Sequence, residues 1–170
     1  MKRFILALGA AALATLALGE DRLPSAAGAE VYIISPRNGA AVASPVTVRF
    51  GLKGMGVAPA GVKFDNTGHH HLLVDTDFSE LKLDAPLPAT DKILHFGKGQ
   101  TETTLPLTPG KHTLQLVFAD HTHSMFDPPL HSQKITITVK LIERLADHSA
   151  RRHGRILCVR GRTRPAGTQG

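Results

Sequence analysis

From Val46 to Leu52, and again from Ile135 to Leu141, the chain alternates apolar and polar or small residues one by one. Successive strand side chains point to opposite faces, so a period of two fits a strand with one buried side and fits no helix. Five further segments carry β signals: Val31–Ile34, His69–Asp75, Ile93–Phe96, Thr101–Leu107 and His112–Asp120. Turn formers separate them, among them Pro36-Arg37-Asn38-Gly39 and Pro109-Gly110, where proline presets φ and glycine takes the conformations other residues avoid. Seven short strands at near-regular spacing predict an all-β chain, an immunoglobulin-like antiparallel β-sandwich over residues 30–140. The Cys and Trp hallmarks of antibody domains are missing, since Cys158 is the only cysteine and there is no tryptophan.

The stretch His69–Asp75 differs from the one-sided strands. His70, Leu72 and Val74 share one face and His69, His71, Leu73 and Asp75 the other, so both faces are partly apolar and the strand is expected at the centre of a sheet. Lys53–Gly68, with four glycines, reads as a loop. Thr76–Lys92 contains Pro86 and Pro88 and is expected to cross between sheets. Asp127-Pro128-Pro129 is expected to stop a strand, because proline cannot donate to a ladder.

Lys2 and Arg3 precede an uncharged Ala- and Leu-rich run from Phe4 to Leu18, and small residues follow at Ala27 and Ala29. This is the layout of a secretory signal peptide, assigned to residues 1–29, with a second small-residue cleavage pattern at Ala17-Leu18-Gly19. The apolar run falls short of the roughly 20 residues that span a bilayer. The expected location is therefore periplasmic or secreted, with no membrane span after signal removal.

The formal charge of +6 does not indicate nucleic acid. Residues 30–140 carry ten Lys or Arg and ten Asp or Glu, whereas residues 141–170 hold seven arginines against Glu143 and Asp147. The basicity belongs to a tail without strand or helix period, read as a disordered extension. Cys158 lies in that tail. Residues 30–140 thus contain no disulfide, no thiol nucleophile and no thiolate zinc cage.

Eight of the ten histidines fall between His69 and His131. Histidines two apart on a strand point the same way, so His69 with His71, and His121 with His123, are candidate pairs for one ion. Neutral imidazole binds zinc or copper, and three nitrogens with a further ligand make an ordinary site. Asp75 shares the face of His69 and His71, but four residues along a strand is about 13 Å, too far to share their ion. In an immunoglobulin-like topology the strand at His69 neighbours the one at His112, which brings the two pairs towards each other. His95 joins them as a candidate, and His112, at a strand entrance, is expected to hydrogen-bond across a sandwich corner. Met55 and Met125 are soft donors that would favour copper, although gap-filling is the commoner role of such residues. In the competing reading His70 is buried with a hydrogen bond to backbone, and the other rings brace loop ends.

Gly68-His69-His70-His71-Leu72-Leu73-Val74-Asp75, His95-Phe96-Gly97-Lys98-Gly99-Gln100-Thr101-Glu102, Leu107-Thr108-Pro109-Gly110-Lys111-His112-Thr113-Leu114, and Asp127-Pro128-Pro129 followed by Ile135-Thr136-Ile137 carry a resemblance. Across Val31–Lys140 the sequence resembles the bacterial domain-of-unknown-function family 4399, found in exported proteins. The resemblance implies an exported β domain and supplies no activity. The basic tail departs from the family pattern, and His131 stands where an aliphatic residue is expected, which keeps it out of any shared site.

Gly97-Lys98-Gly99-Gln100-Thr101 lacks the longer loop opening a helix that phosphate binding needs, and neither a Gly-x-Ser-x-Gly elbow nor an HExxH pair occurs. With ligands but no recognisable nucleophile, base or cofactor loop, the chain reads as an exported binding protein rather than an enzyme. Its expected metal ligands are His69, His71, His95, His121 and His123, for copper or zinc. The alternative is a noncatalytic structural or protein-interaction module of the cell envelope, whose partner is another envelope protein.

Overall fold

The computed structural model describes residues 22–141. The apolar leader run and the arginine-rich tail with Cys158 lie outside the described residues. Ten strands are present: β1 (Glu30–Ser35), β2 (Ala41–Ala43), β3 (Val46–Lys53), β4 (Gly56–Val57), β5 (Thr67–Val74), β6 (Ile93–His95), β7 (Glu102–Leu105), β8 (Gly110–Ala119), β9 (Met125–His131) and β10 (Ile135–Lys140). The only helical turn among the described residues is a single 3-10 turn at Phe78–Glu80. No helix there is long and apolar enough to cross a membrane.

Two sheets form the sandwich. One has the order β1-β3-β7; the other runs β2-β10-β8-β5-β4, with β6 added to β5 and β9 to β8. The pairings are antiparallel except β2 with β10 and β4 with β5. The alternating residues do what their period requires. Val46, Val48 and Phe50 of β3 face Leu72, Leu114, Leu116, Phe118, Ile135, Ile137 and Val139 of the larger sheet in one core. Burying each such side chain stabilises by roughly 1.5–3 kcal/mol.

A second apolar cluster lies on the outer face of the larger sheet. Leu73, Val117, Ala119, Met125 and, beside Leu73 on β6, Ile93 are covered there by Leu87, with Phe78 and Leu81 packed against them. The segment from Thr76 to Lys92 makes this cover. It does not cross between sheets as expected: β6 returns to pair with β5, Leu72 opposite Leu94, so the segment is a strap over the sheet it left. It is fastened by Phe78 against the His131 ring, with centroids 4.1 Å apart, by a Lys134–Asp77 ion pair, and by Leu87 N–H donating to the His123 carbonyl at 2.9 Å.

Three of the ten strands were not expected from sequence. β2 and β4 are only three and two residues long. β9 runs through Pro128-Pro129, where a stop was expected, because the ladder is interrupted there. Met125 pairs with Ala119, and pairing resumes with Leu130 opposite Phe118 after a register shift. The prolines occupy the bulge, where no ladder donor is needed. On the N-terminal side, Pro24 bridges Asp127, Arg22 pairs with its carboxylate at 2.7 Å, and Ser25 N–H donates to its carbonyl at 3.1 Å.

β5 and β8 run side by side from His69 opposite Ala119 to Val74 opposite Leu114. Gly68 permits their close approach: a Cβ there would lie 2.2 Å from the Ala119 carbonyl oxygen and 2.9 Å from the Phe118 ring. We expect Gly68→Ala to cost about 2–3 kcal/mol, the upper range for overpacking against backbone. Urea unfolding would measure it, and a midpoint equal to that of the wild type would show that the two strands separate freely here.

Candidate metal centre

Four of the five histidines proposed as ligands come together. His69 and His71 project from the outer face of β5 on the side of Leu73. His95 ends β6 and is the registered partner of His71. His123 comes from the turn between β8 and β9, which begins beside His69 because His69 pairs with Ala119. Ring centroids of the six pairs are 5.0 Å (His69–His71), 5.0 Å (His69–His95), 5.0 Å (His69–His123), 5.1 Å (His71–His95), 5.9 Å (His71–His123) and 4.8 Å (His95–His123). The ligand atoms of His69, His95 and His123 lie within 4.8 Å of one another, and that trio could hold a metal ion. His71 adjoins the trio through its Nε2, 3.1 Å from His69 Nε2, while His95 and His123 meet Nε2 to Nε2 at 3.2 Å.

These separations discriminate between coordination geometries. A tetrahedral ion about 2.0–2.1 Å from each nitrogen separates the nitrogens by about 3.3–3.4 Å and the ring centroids by about 5.2 Å. A square-planar ion with the same bond lengths would place four centroid pairs at about 4.5 Å and two at about 6.4 Å. Five of the six observed separations fall between 4.8 and 5.1 Å, close to the tetrahedral value, whereas His71–His123 is longer at 5.9 Å; the ligand atoms that lie within 4.8 Å of one another are those of His69, His95 and His123.

His121 stands apart from the cluster. The rule that residues two apart point the same way holds only along a strand, and β8 ends at Ala119. His123 has a left-handed backbone, φ +71°, which turns its ring towards His69. His121 instead gives its carbonyl to Gly61 N–H at 2.9 Å, and its imidazole takes part in none of the ring contacts of the other four. His70 faces the opposite way, into the sandwich core between Phe50 (5.2 Å) and Phe118 (5.1 Å). The Gln100 backbone lies near the His70 ring, but neither ring nitrogen makes a hydrogen bond of good geometry, so the expected bond to backbone is not formed. His112 makes its corner bonds: Nδ1 to Asp75 Oδ2 at 2.7 Å and Nε2 to the Thr108 carbonyl at 2.8 Å. Met125 is fully buried in the outer apolar cluster and Met55 packs against the main core, so both fill space.

Gly97 makes room for His95 in a way the sequence did not disclose. A Cβ at Gly97 would fall 2.3 Å from His95 Cε1 and 2.4 Å from its Nε2. Ala60 N–H donates to the Gly97 carbonyl at 2.9 Å, so the Ala58–Val62 segment steadies both loops that carry His95 and His123.

Electrostatics favour neutral rings. Burial, then the neighbouring His123 and His95, push His69 down to about 4 against the opposing charge of Asp120. Burial, then His69, His95 and His123, push His71 down to about 3. Burial, then His123, lowers His95, and burial takes His70 to about 4. Near neutral pH these rings therefore offer lone pairs rather than repelling a cation. His112 moves the other way: burial depresses it, but the Asp75 hydrogen bond, the Thr108 carbonyl and the Asp75 charge together raise it.

An all-β sandwich with a cluster of histidine rings at its rim, three of which could hold a metal ion, is the class of protein that fold and site define. The chain belongs to the family described as "Domain of unknown function (DUF4399)", whose pattern it matches over residues 48–140, from β3 to the end of β10. No curated protein and no solved structure matches the chain.

The lowered histidines fix the sign of the pH dependence. A histidine whose folded value lies below its ordinary 6.5 takes up a proton on unfolding between those two values, so its contribution is whole above 6.5 and is lost as pH falls. We expect the stability of the metal-free protein to drop from pH 6.5 towards 4, by up to about 1.4 kcal/mol per pH unit for each buried ring. Urea unfolding at several pH values checks this; a flat profile over that window would mean the rings are not held neutral.

Proposed function

We propose that this protein is an exported binder of a divalent transition metal, with His69, His71, His95 and His123 as ligands and zinc preferred over copper. The observation that carries the reading is the convergence of His69, His95 and His123, whose ligand atoms lie within 4.8 Å of one another, with His71 adjoining at 3.1 Å from His69 Nε2; five of the six ring separations suit a tetrahedral ion. Tetragonal Cu(II) fits that spacing poorly, and the set contains no sulfur donor to favour Cu(I). His95 is exposed and His123 half-buried, so an ion can enter from the rim without opening the core.

The competing reading is a structural or interaction module of the cell envelope, with the four rings as a hydrogen-bonded cluster. It is supported by the two Nε2 to Nε2 contacts. Hydrogen bonding alone leaves a deficit, however. In the His69–His71 pair one Nε2 must accept, and that ring then carries its proton on Nδ1. Neither His69 Nδ1 nor His71 Nδ1 has a partner, and a buried unpaired donor costs about 1–3 kcal/mol. Coordination through both Nε2 lone pairs leaves the proton of each ring on an unpaired Nδ1, which doubles that deficit, but it supplies a far larger favourable term, since structural zinc contributes roughly 10–16 kcal/mol in zinc-finger peptides.

Export rests on the leader layout, and packing favours the earlier cleavage point. Arg22, Pro24 and Ser25 are all bound to Asp127, and cleavage after Ala29 would remove them from the fold. N-terminal sequencing of protein recovered from the periplasm is expected to begin at Glu20; retention in the cytoplasm with Met1 intact would end the export proposal.

Calorimetric titration of untagged protein with Zn(II) and Cu(II) tests the metal. One-to-one zinc binding is expected, with His69→Ala and His123→Ala each costing at least the roughly 10–100-fold lost on removing an outer partner of a ligand. Gly97→Ala, which displaces the His95 ring, is expected to weaken binding as well, and His121→Ala to leave it unchanged. Equal affinity in the wild type and both ligand variants would leave the envelope module as the better reading.

A further inference from the structure

Resting on the metal reading above, we propose that Asp120 serves the site without touching the ion, as a positioning residue that sets the His123 turn and as the counter-charge of the bound cation. Asp120 is the one carboxylate buried among the described residues, at 4 % exposure, and it lies where β8 ends beside His69. Its Oδ1 accepts three hydrogen bonds, from Thr122 N–H at 2.7 Å, from the Thr122 hydroxyl at 2.7 Å and from Ser124 N–H at 3.0 Å. Its backbone closes the same turn: Asp120 N–H donates to the Ser124 carbonyl at 2.9 Å, and His123 N–H donates to the Asp120 carbonyl at 3.1 Å.

This grip is what a left-handed His123 requires. A non-glycine residue in that conformation is strained by about 1 kcal/mol or more and persists only when its surroundings determine it. The four ligands are neutral side chains, so a divalent ion would bring two uncompensated charges to a largely buried site, where such charge is costly without a counter-charge. Asp120 is near enough for its charge to be felt at the His69 ring. Asp120 makes no hydrogen bond to the ring, since His69 Nδ1 is without a partner, so it acts on that ligand by charge alone.

Asp120→Asn separates the two roles, because an amide oxygen can keep the three acceptor bonds while the charge is lost. Co(II), whose visible bands report tetrahedral coordination, is the probe, in untagged protein expressed from the full-length gene. Wild type is expected to give strong tetrahedral bands. Asp120→Asn is expected to keep their shape and bind roughly 10–100-fold more weakly. Asp120→Ala is expected to bind more weakly still, with weakened bands as the turn loosens. If Asp120→Asn does not fold, Asp120→Glu retains the charge but breaks the three-donor grip, and weaker, altered bands are expected. Affinity within about twofold of wild type in Asp120→Asn, or in Asp120→Glu where that variant must be used, overturns the role of Asp120 and leaves the metal site standing. Failure of the wild type to bind Co(II) or Zn(II) overturns the metal reading itself, and this inference falls with it.

Discussion

β5 is buried on both faces, and the placement of the other elements follows from that. Every residue from Gly68 to Val74 is buried, because the three-stranded sheet covers one side of the strand and the Thr76–Lys92 strap covers the other. A strand in that position is ordinarily a continuous apolar run. Here its first half is His69-His70-His71, so three polar rings have been placed where water is excluded. Strand alternation divides them, sending His70 into the main core and His69 with His71 to the outer face. No rearrangement of side chains could bring all three to one ligand.

The outer pair then recruits its partners through register. His95 is brought in because β6 pairs with β5 at His71, and His123 because β8 ends opposite His69. Both pairings are sheet ladders, so the relative positions of three of the four rings are fixed by backbone hydrogen bonds rather than by flexible side chains. His123 alone lies on a turn. That turn is held from two directions, at His121 by Gly61 and at His123 by Leu87, each through the carbonyl. Ligands fixed before the ion arrives lose little conformational freedom when it binds, and preorganisation of this kind supports affinity and selectivity together.

Much of this was legible from sequence because it depends on alternation. The faces of Val46–Leu52, Ile135–Leu141 and His69–Asp75 and the central place of the histidine strand follow from period two, and its pairing with the His112 strand follows from the sandwich topology that those strands suggest. What escaped depends on contacts that period cannot encode. Pro128-Pro129 signals a stop, yet a bulge lets β9 resume at Leu130. Thr76–Lys92 has the length and prolines of a crossover, yet Leu87, Phe78 and Leu81 find the apolar surface of Leu73, Val117 and Met125, so the segment folds back over its own sheet. His121 and His123 are an i, i+2 pair in the sequence, and only the positive φ of His123 separates them. In the sequence Gly97 only opens a glycine-bearing segment too short to bind phosphate, and its role as a floor for the His95 ring becomes visible only once the ring is placed.

The two histidine faces also differ in what they ask of the fold. His70 is committed: enclosed by Phe50 and Phe118, with both nitrogens unpaired, it contributes packing at the cost of desolvating a polar ring, and a smaller apolar side chain could replace it only by leaving a cavity. The outer cluster is graded instead, from His69 and His71, fully buried, to His123 and finally His95 at the surface. That gradient matters for an ion. For the ion we propose, the inner rings would supply a dry environment in which coordinate bonds are strong, and the outer rings would supply the path by which water leaves and the ion enters. A site closed on all sides by the sandwich would need local unfolding to load, whereas the rim position lets binding proceed against a rigid β5 with only the His95 and His123 rings moving.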